Sequence, residues 1–171
     1  MLKTKNKRIR ILLSSLIVLI LGIISNLLVR KTTISSFSIF DATNLFTYFS
    51  ILIGFAITIY TFGLSLVSDI KEKIQSNDKF TDEQKSAMYD NLISGFGQIK
   101  GDIWVIFYSL LVVILFAIAK DMINPFGWDV EDWKLPETVN LTLFITTTIA
   151  MWDIMQSLFN ISEIKLELNK K

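Results

Sequence analysis

Four long apolar runs alternate with polar stretches along the chain, at residues 11–29, 45–67, 103–119 and 138–161. A helix needs about 20 apolar residues to cross a hydrocarbon core of about 30 Å, and each run is close to that length. Apolar residues occur all round each predicted helix, and a chain this short could not cover four such helices in water. The pattern predicts an all-α integral membrane protein, a single membrane domain over 1–171 with four transmembrane helices.

The distribution of basic residues predicts how these spans are oriented. Of the 17 Lys and Arg residues, 13 lie before the first run, between the second and third runs, or after the fourth run. Lys and Arg collect in the cytoplasmic loops of membrane proteins. We therefore expect both termini and the segment 68–102 to be cytoplasmic. The Ile-, Lys- and Asn-rich composition favours the plasma membrane of a bacterium, that is, its inner membrane.

The segment 68–102 is predicted to form a cytoplasmic helical hairpin between spans two and three. Thr81 and Gln84 have the spacing of a capping box, which marks the start of a helix. An apolar stripe follows at helical spacing and consists of Met88, Leu92, Ile93, Phe96 and Ile99. Two interpretations remain open. In the first, the stripe is covered by packing against Ile70 and Ile74 or by lying along the lipid interface. In the second, it docks a cytosolic protein.

Asp153 is the one acidic residue inside a predicted span. A carboxylate in hydrocarbon costs at least about 2.5–3.5 kcal/mol, so an acid in this position is a candidate functional residue by default. Either Asp153 is protonated and donates a hydrogen bond, or it faces water in a cavity or an oligomeric pore. Other polar residues recur with it along span four at helical spacing: Thr142, Thr146, Gln156, Ser157 and Asn160.

Span two carries a matching face of small and hydroxylated residues. These residues are Ser50, Gly54, Thr58, Thr61, Ser65 and Ser68. Such faces allow close approach of helix backbones and hydrogen bonds between helices. Spans two and four run in the same direction, which places Thr58 and Asp153 at a similar depth. We expect Thr58 or Thr61 to be the hydrogen-bond partner of Asp153, and the two faces together predict a homo-oligomer.

Composition excludes several kinds of chemistry. The chain has no Cys and no His, so it lacks a thiolate nucleophile, a disulfide and the commonest general base and metal ligand. One acid within the spans does not supply the carboxylate pair of an intramembrane aspartyl protease. A net charge of +1 without a basic stripe gives no nucleic-acid footprint. We expect no catalytic residue, metal site or cofactor, and a protein that is not an enzyme.

Two functional hypotheses follow. In the first, the protein associates with itself in the lipid bilayer through the polar faces of spans two and four, and forms or gates an ion passage. It would then be channel-like, or an effector that perturbs the membrane. In the alternative, it is a membrane anchor or sensor subunit. The 68–102 hairpin then docks a cytosolic partner through Met88, Leu92, Ile93 and Phe96.

Overall fold

The computed structural model describes the backbone of residues 2–77, 80–123 and 134–170. Side chains are described at 15–34, 36–77, 80–119, 134–166 and 168. Over these residues the chain is all-α. It has four long helices, α1 (Leu2–Lys31), α2 (Ala42–Ser76), α3 (Asp82–Ile123) and α4 (Leu135–Lys170). Two short 3-10 helices, Ile34–Ser36 and Ser38–Phe40, lie between α1 and α2.

Three helices in the described part of the chain are long and apolar enough to cross a membrane, namely α2, α3 and α4. They contain the predicted runs 45–67, 103–119 and 138–161, so the all-helical, membrane-compatible class is confirmed. The run 11–29 lies within α1. The side chains of residues 11–14 and of the basic residues before them lie outside the described residues. That α1 crosses the membrane therefore stays a prediction.

The start of α3 is fixed by the capping box that the sequence predicts. The backbone N–H of Gln84 donates to Thr81 Oγ1 at 3.3 Å, and the backbone N–H of Thr81 donates to Gln84 Oε1 at 3.0 Å. Lys85 Nζ also donates to the carbonyl oxygen of Gln75 at 3.1 Å. Because the last carbonyls of a helix have no partner within it, this bond satisfies one of them at the end of α2.

The described chain divides into two compact units. The first comprises 1–48 and 109–148, and the second comprises 49–108 and 149–171. In the first unit, Asn26 Nδ2 of α1 donates to Thr138 Oγ1 of α4 at 3.1 Å. Among the described side chains of α1, only Ser25 and Val29 are buried, and the apolar residues 16–20 are exposed. Helix α1 is therefore held at a few points near its C-terminal end.

A second group of contacts in this unit surrounds Phe144 of α4. Its ring centroid lies 5.0 Å from that of Tyr48 and 5.5 Å from that of Phe40, with an edge-to-face arrangement for Phe40. Tyr48 Oη and Thr148 Oγ1 are 3.0 Å apart and share a hydrogen bond. Asn140 Nδ2 donates to the carbonyl oxygen of Phe40 at 2.9 Å. These contacts connect the beginning of α2 to the first half of α4.

The second unit has a core built from three helices. Its buried residues recur three or four positions apart, the spacing at which one face of each helix meets its neighbours. They are Ala56, Ile59, Leu66, Ile70 and Ile74 of α2, Leu92, Ile99 and Ile106 of α3, and Ala150, Ile154 and Ile161 of α4.

This core settles where the apolar stripe of α3 packs. Leu92 is buried in one cluster with Ile70 and Ile74, and Met88 and Phe96 are partly buried against that cluster. Ile93 is the member of the predicted docking set that stays exposed, with 46% of its surface accessible. Packing within the chain, the first of the two interpretations, therefore applies to most of the stripe.

Candidate functional site

Asp153 lies on α4 at the margin of the core of the second unit. Its neighbours Ala150 and Ile154 are buried, whereas the Asp153 side chain is exposed. Asp102 of α3 belongs to the same compact unit. That Thr58 or Thr61 is the hydrogen-bond partner of Asp153 stays a prediction.

Asp102 lies on the buried face of α3. It follows Ile99 by three residues and precedes Ile106 by four, and both of these isoleucines are fully buried. The Asp102 side chain itself is half-buried. Because residues three and four apart share a helix face, the sequence places a carboxylate directly in the apolar seam of this helix. Asp102 therefore lies on the face of α3 that packs against the other helices.

The hydroxyls of Thr58 and Thr61 have partners within their own helix. Thr58 Oγ1 donates to the carbonyl oxygen of Gly54 at 2.9 Å, and Thr61 Oγ1 donates to that of Ile57 at 2.9 Å. Each hydroxyl thus uses its one O–H donor within the helix, while its oxygen can still accept a hydrogen bond. These two side chains are therefore acceptors, not donors, toward any further group.

The polar face of α2 lies opposite its buried face. Its six members are all exposed: Ser50, Gly54, Thr58, Thr61, Ser65 and Ser68. The buried residues Ala56, Ile59 and Leu66 lie on the other side of the helix at about 100° per residue. Within the described part of the chain, a Cβ atom built on Gly54 would meet no atom within 4 Å. The polar face is therefore turned away from the core of its own unit.

The polar residues of α4 are divided between the two units. Gln156 and Asn160 are exposed and Ser157 is half-buried, all in the same unit as Asp153. Thr146 belongs to the other unit, where its hydroxyl donates to the carbonyl oxygen of Thr142 at 2.8 Å. The exposed amides after Asp153 extend its polar surface toward the C-terminus of α4.

An ion pair ties α4 to α2 beyond the apolar runs. Lys165 Nζ lies 2.7 Å from Asp69 Oδ2. Helix α2 has 35 residues, and Asp69 follows its apolar run 45–67. The hydrogen bond and positive charge of Lys165 lower the pKa of Asp69 below its usual value. This pair is a contact between the C-terminal parts of the two helices.

Sequence reasoning identified Asp153 and missed Asp102. The residue was assigned to the cytoplasmic segment because it precedes the apolar run 103–119. The signal that could have found it is the stripe of α3 itself. Leu92, Ile99 and Ile106 follow one another at intervals of seven residues. Asp102 comes three residues after Ile99 and four before Ile106, which is the spacing of residues on one helix face.

Among the residues that the structure describes, no three acidic side chains come together in a way that could hold a metal ion. Comparison of the chain with protein-family models, curated proteins and solved structures finds no match. The candidate site therefore rests on its own geometry. It consists of Asp102 on α3 and Asp153 on α4, together with the exposed polar residues of α2 and α4.

Proposed function

We propose that the protein is a non-enzymatic multi-pass membrane protein that associates with itself and forms or gates an ion passage. It crosses a bacterial plasma membrane four times, with both termini and the 68–102 hairpin in the cytoplasm. The observation that carries this proposal is the position of the α2 polar face, which points away from the core on a helix apolar enough to span a membrane.

Contact with lipid would stabilise this polar face little, because lipid tails offer its hydroxyl groups no hydrogen bonds. Helix association in membranes is driven by close packing and by hydrogen bonds between helices, and small residues favour both. Gly54 costs the helix about 1 kcal/mol relative to Ala. No atom of the described residues occupies the space that this glycine leaves open. A second copy packed against Gly54, Thr58 and Thr61 would use that space.

The carboxylates give the proposed passage its preference for cations. Asp153 is exposed in the single chain, and exposed Gln156 and Asn160 follow it along α4. A charged residue in a membrane is stable when it faces water in a cavity or pore. In an assembly of several copies, Asp153 would line the passage, attract cations and repel anions.

Reconstituted liposomes test the ion passage. We expect Asp153→Asn, which keeps the side-chain shape and removes the charge, to lower cation conductance and to weaken cation-over-anion selectivity. Asp90→Asn is the matched control. It also removes one negative charge, but from an exposed position on α3 before the apolar run. Full conductance and unchanged selectivity in the Asp153→Asn protein would refute the proposed role of this residue.

Cysteine cross-linking tests the self-association. The native chain has no Cys, so Thr58→Cys introduces a unique thiol on the polar face. Oxidation in membranes should give a disulfide-linked dimer in high yield. Phe55→Cys serves as the control, because Phe55 is equally exposed but points to another side of α2. Equal yields from the two variants would contradict an interface on the polar face.

The alternative function is a membrane anchor or sensor subunit that docks a cytosolic protein through the 68–102 hairpin. The observation in its favour is Ile93, an apolar side chain left exposed next to the buried Leu92. Ile93→Asn would then abolish recovery of the partner without changing the thermal stability of the protein. An unchanged set of co-purifying proteins would count against docking at this position.

A further inference from the structure

We propose that Lys100, Trp104 and Tyr108 of α3 form a headgroup-binding face, which lies among the phospholipid headgroups of the bilayer. This face fixes the depth at which α3 enters the membrane. The proposal rests on α3 crossing the bilayer, for which the helix is long and apolar enough. It goes beyond self-association and ion passage, and the failure of either would leave it intact.

The three residues share one exposed side of α3. They follow one another at intervals of four residues, which places them one above the other along a helix. All three side chains are exposed, with 48% of Trp104 and 59% of Tyr108 accessible. The fully buried Ile99 and Ile106 lie on the other side, Ile106 about 200° around the helix from Trp104. The headgroup-binding face is therefore turned away from the core of the second unit.

The aromatic rings of this part of α3 pack on one another. The rings of Trp104 and Tyr108 are stacked with centroids 5.6 Å apart, and the ring of Phe107 meets that of Trp104 edge-on at 5.7 Å. All three rings nevertheless remain exposed. The result is an ordered apolar surface on the outside of the helix. It carries two polar ends, the indole N–H of Trp104 and the hydroxyl of Tyr108.

The polar ends of the face lie toward the beginning of the apolar run. Long side chains of an α-helix lean toward its N-terminus. The stack of Tyr108 on Trp104, one turn before it, agrees with that direction. Lys100 comes three residues before the run 103–119, so its ammonium group lies beyond the run. The face thus places its polar groups toward water and its rings toward the apolar run, as the boundary between headgroups and acyl chains requires.

Phospholipid headgroups match this face in both charge and hydrogen bonding. Trp and Tyr are enriched where a helix leaves the hydrocarbon, because their rings are apolar and their ends are polar. A lysine near the end of a span extends its ammonium group to the headgroups, whose phosphates are negatively charged. Phosphate and ester oxygens can accept hydrogen bonds from all three side chains. A second copy packed on the same face around a twofold axis along the membrane normal would bring two Lys100 ammonium groups together, and their repulsion disfavours that occupant.

Tryptophan fluorescence in vesicles of brominated phosphatidylcholine tests the depth of the face. The chain has four Trp residues, so replacing three of them by Phe leaves Trp104 as the only indole: Trp128→Phe, Trp133→Phe and Trp152→Phe. We expect bromine near the glycerol end of the acyl chains to quench Trp104 more strongly than bromine near their methyl ends. The opposite order would overturn the proposal. So would protection from both lipids, since the face would then be covered by protein.

The matched control is the protein that keeps Trp152 as its only indole. Trp152 is 64% exposed on α4 and comes nine residues, about 14 Å, before the end of the run 138–161. This depth is close to the middle of a hydrocarbon core of about 30 Å. We therefore expect bromine near the methyl ends to quench Trp152 more strongly. The same order of quenching for Trp104 and Trp152 would contradict a headgroup position for Trp104.

Reversal of one charge tests the contact with phosphate. In the protein with Trp104 as its only indole, Lys100→Glu places a carboxylate against the headgroups. The resulting repulsion should shift this end of α3 toward water, which raises quenching by acrylamide and lowers quenching by the brominated lipids. Gln98→Glu is the control, because Gln98 is exposed about 200° around the helix from Lys100 at nearly the same height. It should keep the quenching of the parent protein. Identical quenching in the two variants would overturn the contact between Lys100 and the headgroups.

Discussion

Gly63 of α2 lies against the ring of Phe96 on α3. A Cβ atom added to Gly63 would come within 2.8 Å of Phe96 Cε2, closer than such atoms approach in proteins. The same ring stacks on Tyr60 with centroids 4.8 Å apart. The absence of a side chain at Gly63 thus lets an aromatic ring of α3 lie directly on the backbone of α2. This contact fixes the distance between the two helices in the second unit.

Replacing Gly63 by Ala should therefore destabilise the protein. Ala is favoured over Gly in a helix by about 1 kcal/mol, but overpacking of a filled contact costs about 1–3 kcal/mol. Gly97→Ala is the control, because a Cβ at exposed Gly97 meets nothing within 4 Å and keeps the gain in helix propensity. Thermal unfolding should rank Gly63→Ala below Gly97→Ala. The reverse order would show that the Phe96 ring moves aside at little cost.

Truncation of Leu92 should cost far more stability than truncation of its neighbour Ile93. Leu92 is 1% exposed and packs in the core with Ile70 and Ile74, whereas Ile93 is 46% exposed. Loss of a buried leucine side chain costs about 2–5 kcal/mol, while an exposed change stays within about 0.5 kcal/mol. Denaturant unfolding of Leu92→Ala and Ile93→Ala measures both values. Similar values for the two variants would contradict the packing of the α3 stripe.

Hydropathy and helix signals were enough to predict the all-helical class and three helices apolar enough to cross a membrane. The runs 45–67, 103–119 and 138–161 lie within helices, and Thr81 and Gln84 form the capping box that their spacing implies. These features are local, since each depends on residues within a few turns of one another. Which side of each helix faces the core is a relation between distant segments. For the α3 stripe, sequence reasoning therefore left two interpretations open.

The sequence singled out Asp153 for the candidate site and did not single out Asp102. Asp153 stands out because a lone acid in an apolar run is costly wherever it lies. Asp102 does not stand out, because it comes just before the apolar run 103–119. Its place on the packed face of α3 depends on the burial of Ile99 and Ile106, and that burial comes from contacts with distant segments. That Thr58 lies beside Asp153 stays a prediction.

The hydrogen bond between Asn26 and Thr138 should be a principal attachment of α1 to α4. The two side chains are 3.1 Å apart, and α1 buries only Ser25 and Val29 among its described side chains. Hydrogen bonds between membrane helices are worth about 0.6–2 kcal/mol. Asn26→Leu should therefore expose the neighbouring position, measured as faster alkylation of a Ser25→Cys thiol in detergent. An unchanged alkylation rate would mean that apolar contacts alone hold α1 in place.

The ion pair between Asp69 and Lys165 should make a small contribution to stability that depends on pH and salt. Since Lys165 lowers the pKa of Asp69, the folded chain keeps this carboxylate charged more readily than the unfolded chain does. The contribution is therefore fully present above the unfolded pKa of about 3.9 and is lost as the pH falls through the lower folded value. Asp69→Asn should lower the unfolding midpoint at neutral pH and low salt, and should match the wild type at the lowest pH.

Exchange of the two charges provides the control for that pair. Asp69→Lys alone should be less stable than the wild type, because it places two cations at the 2.7 Å contact, and adding Lys165→Asp should restore much of the loss. Molar salt should shrink the difference, since both side chains are partly exposed and the attraction is screened. A double variant no more stable than Asp69→Lys would show that the two charges act independently.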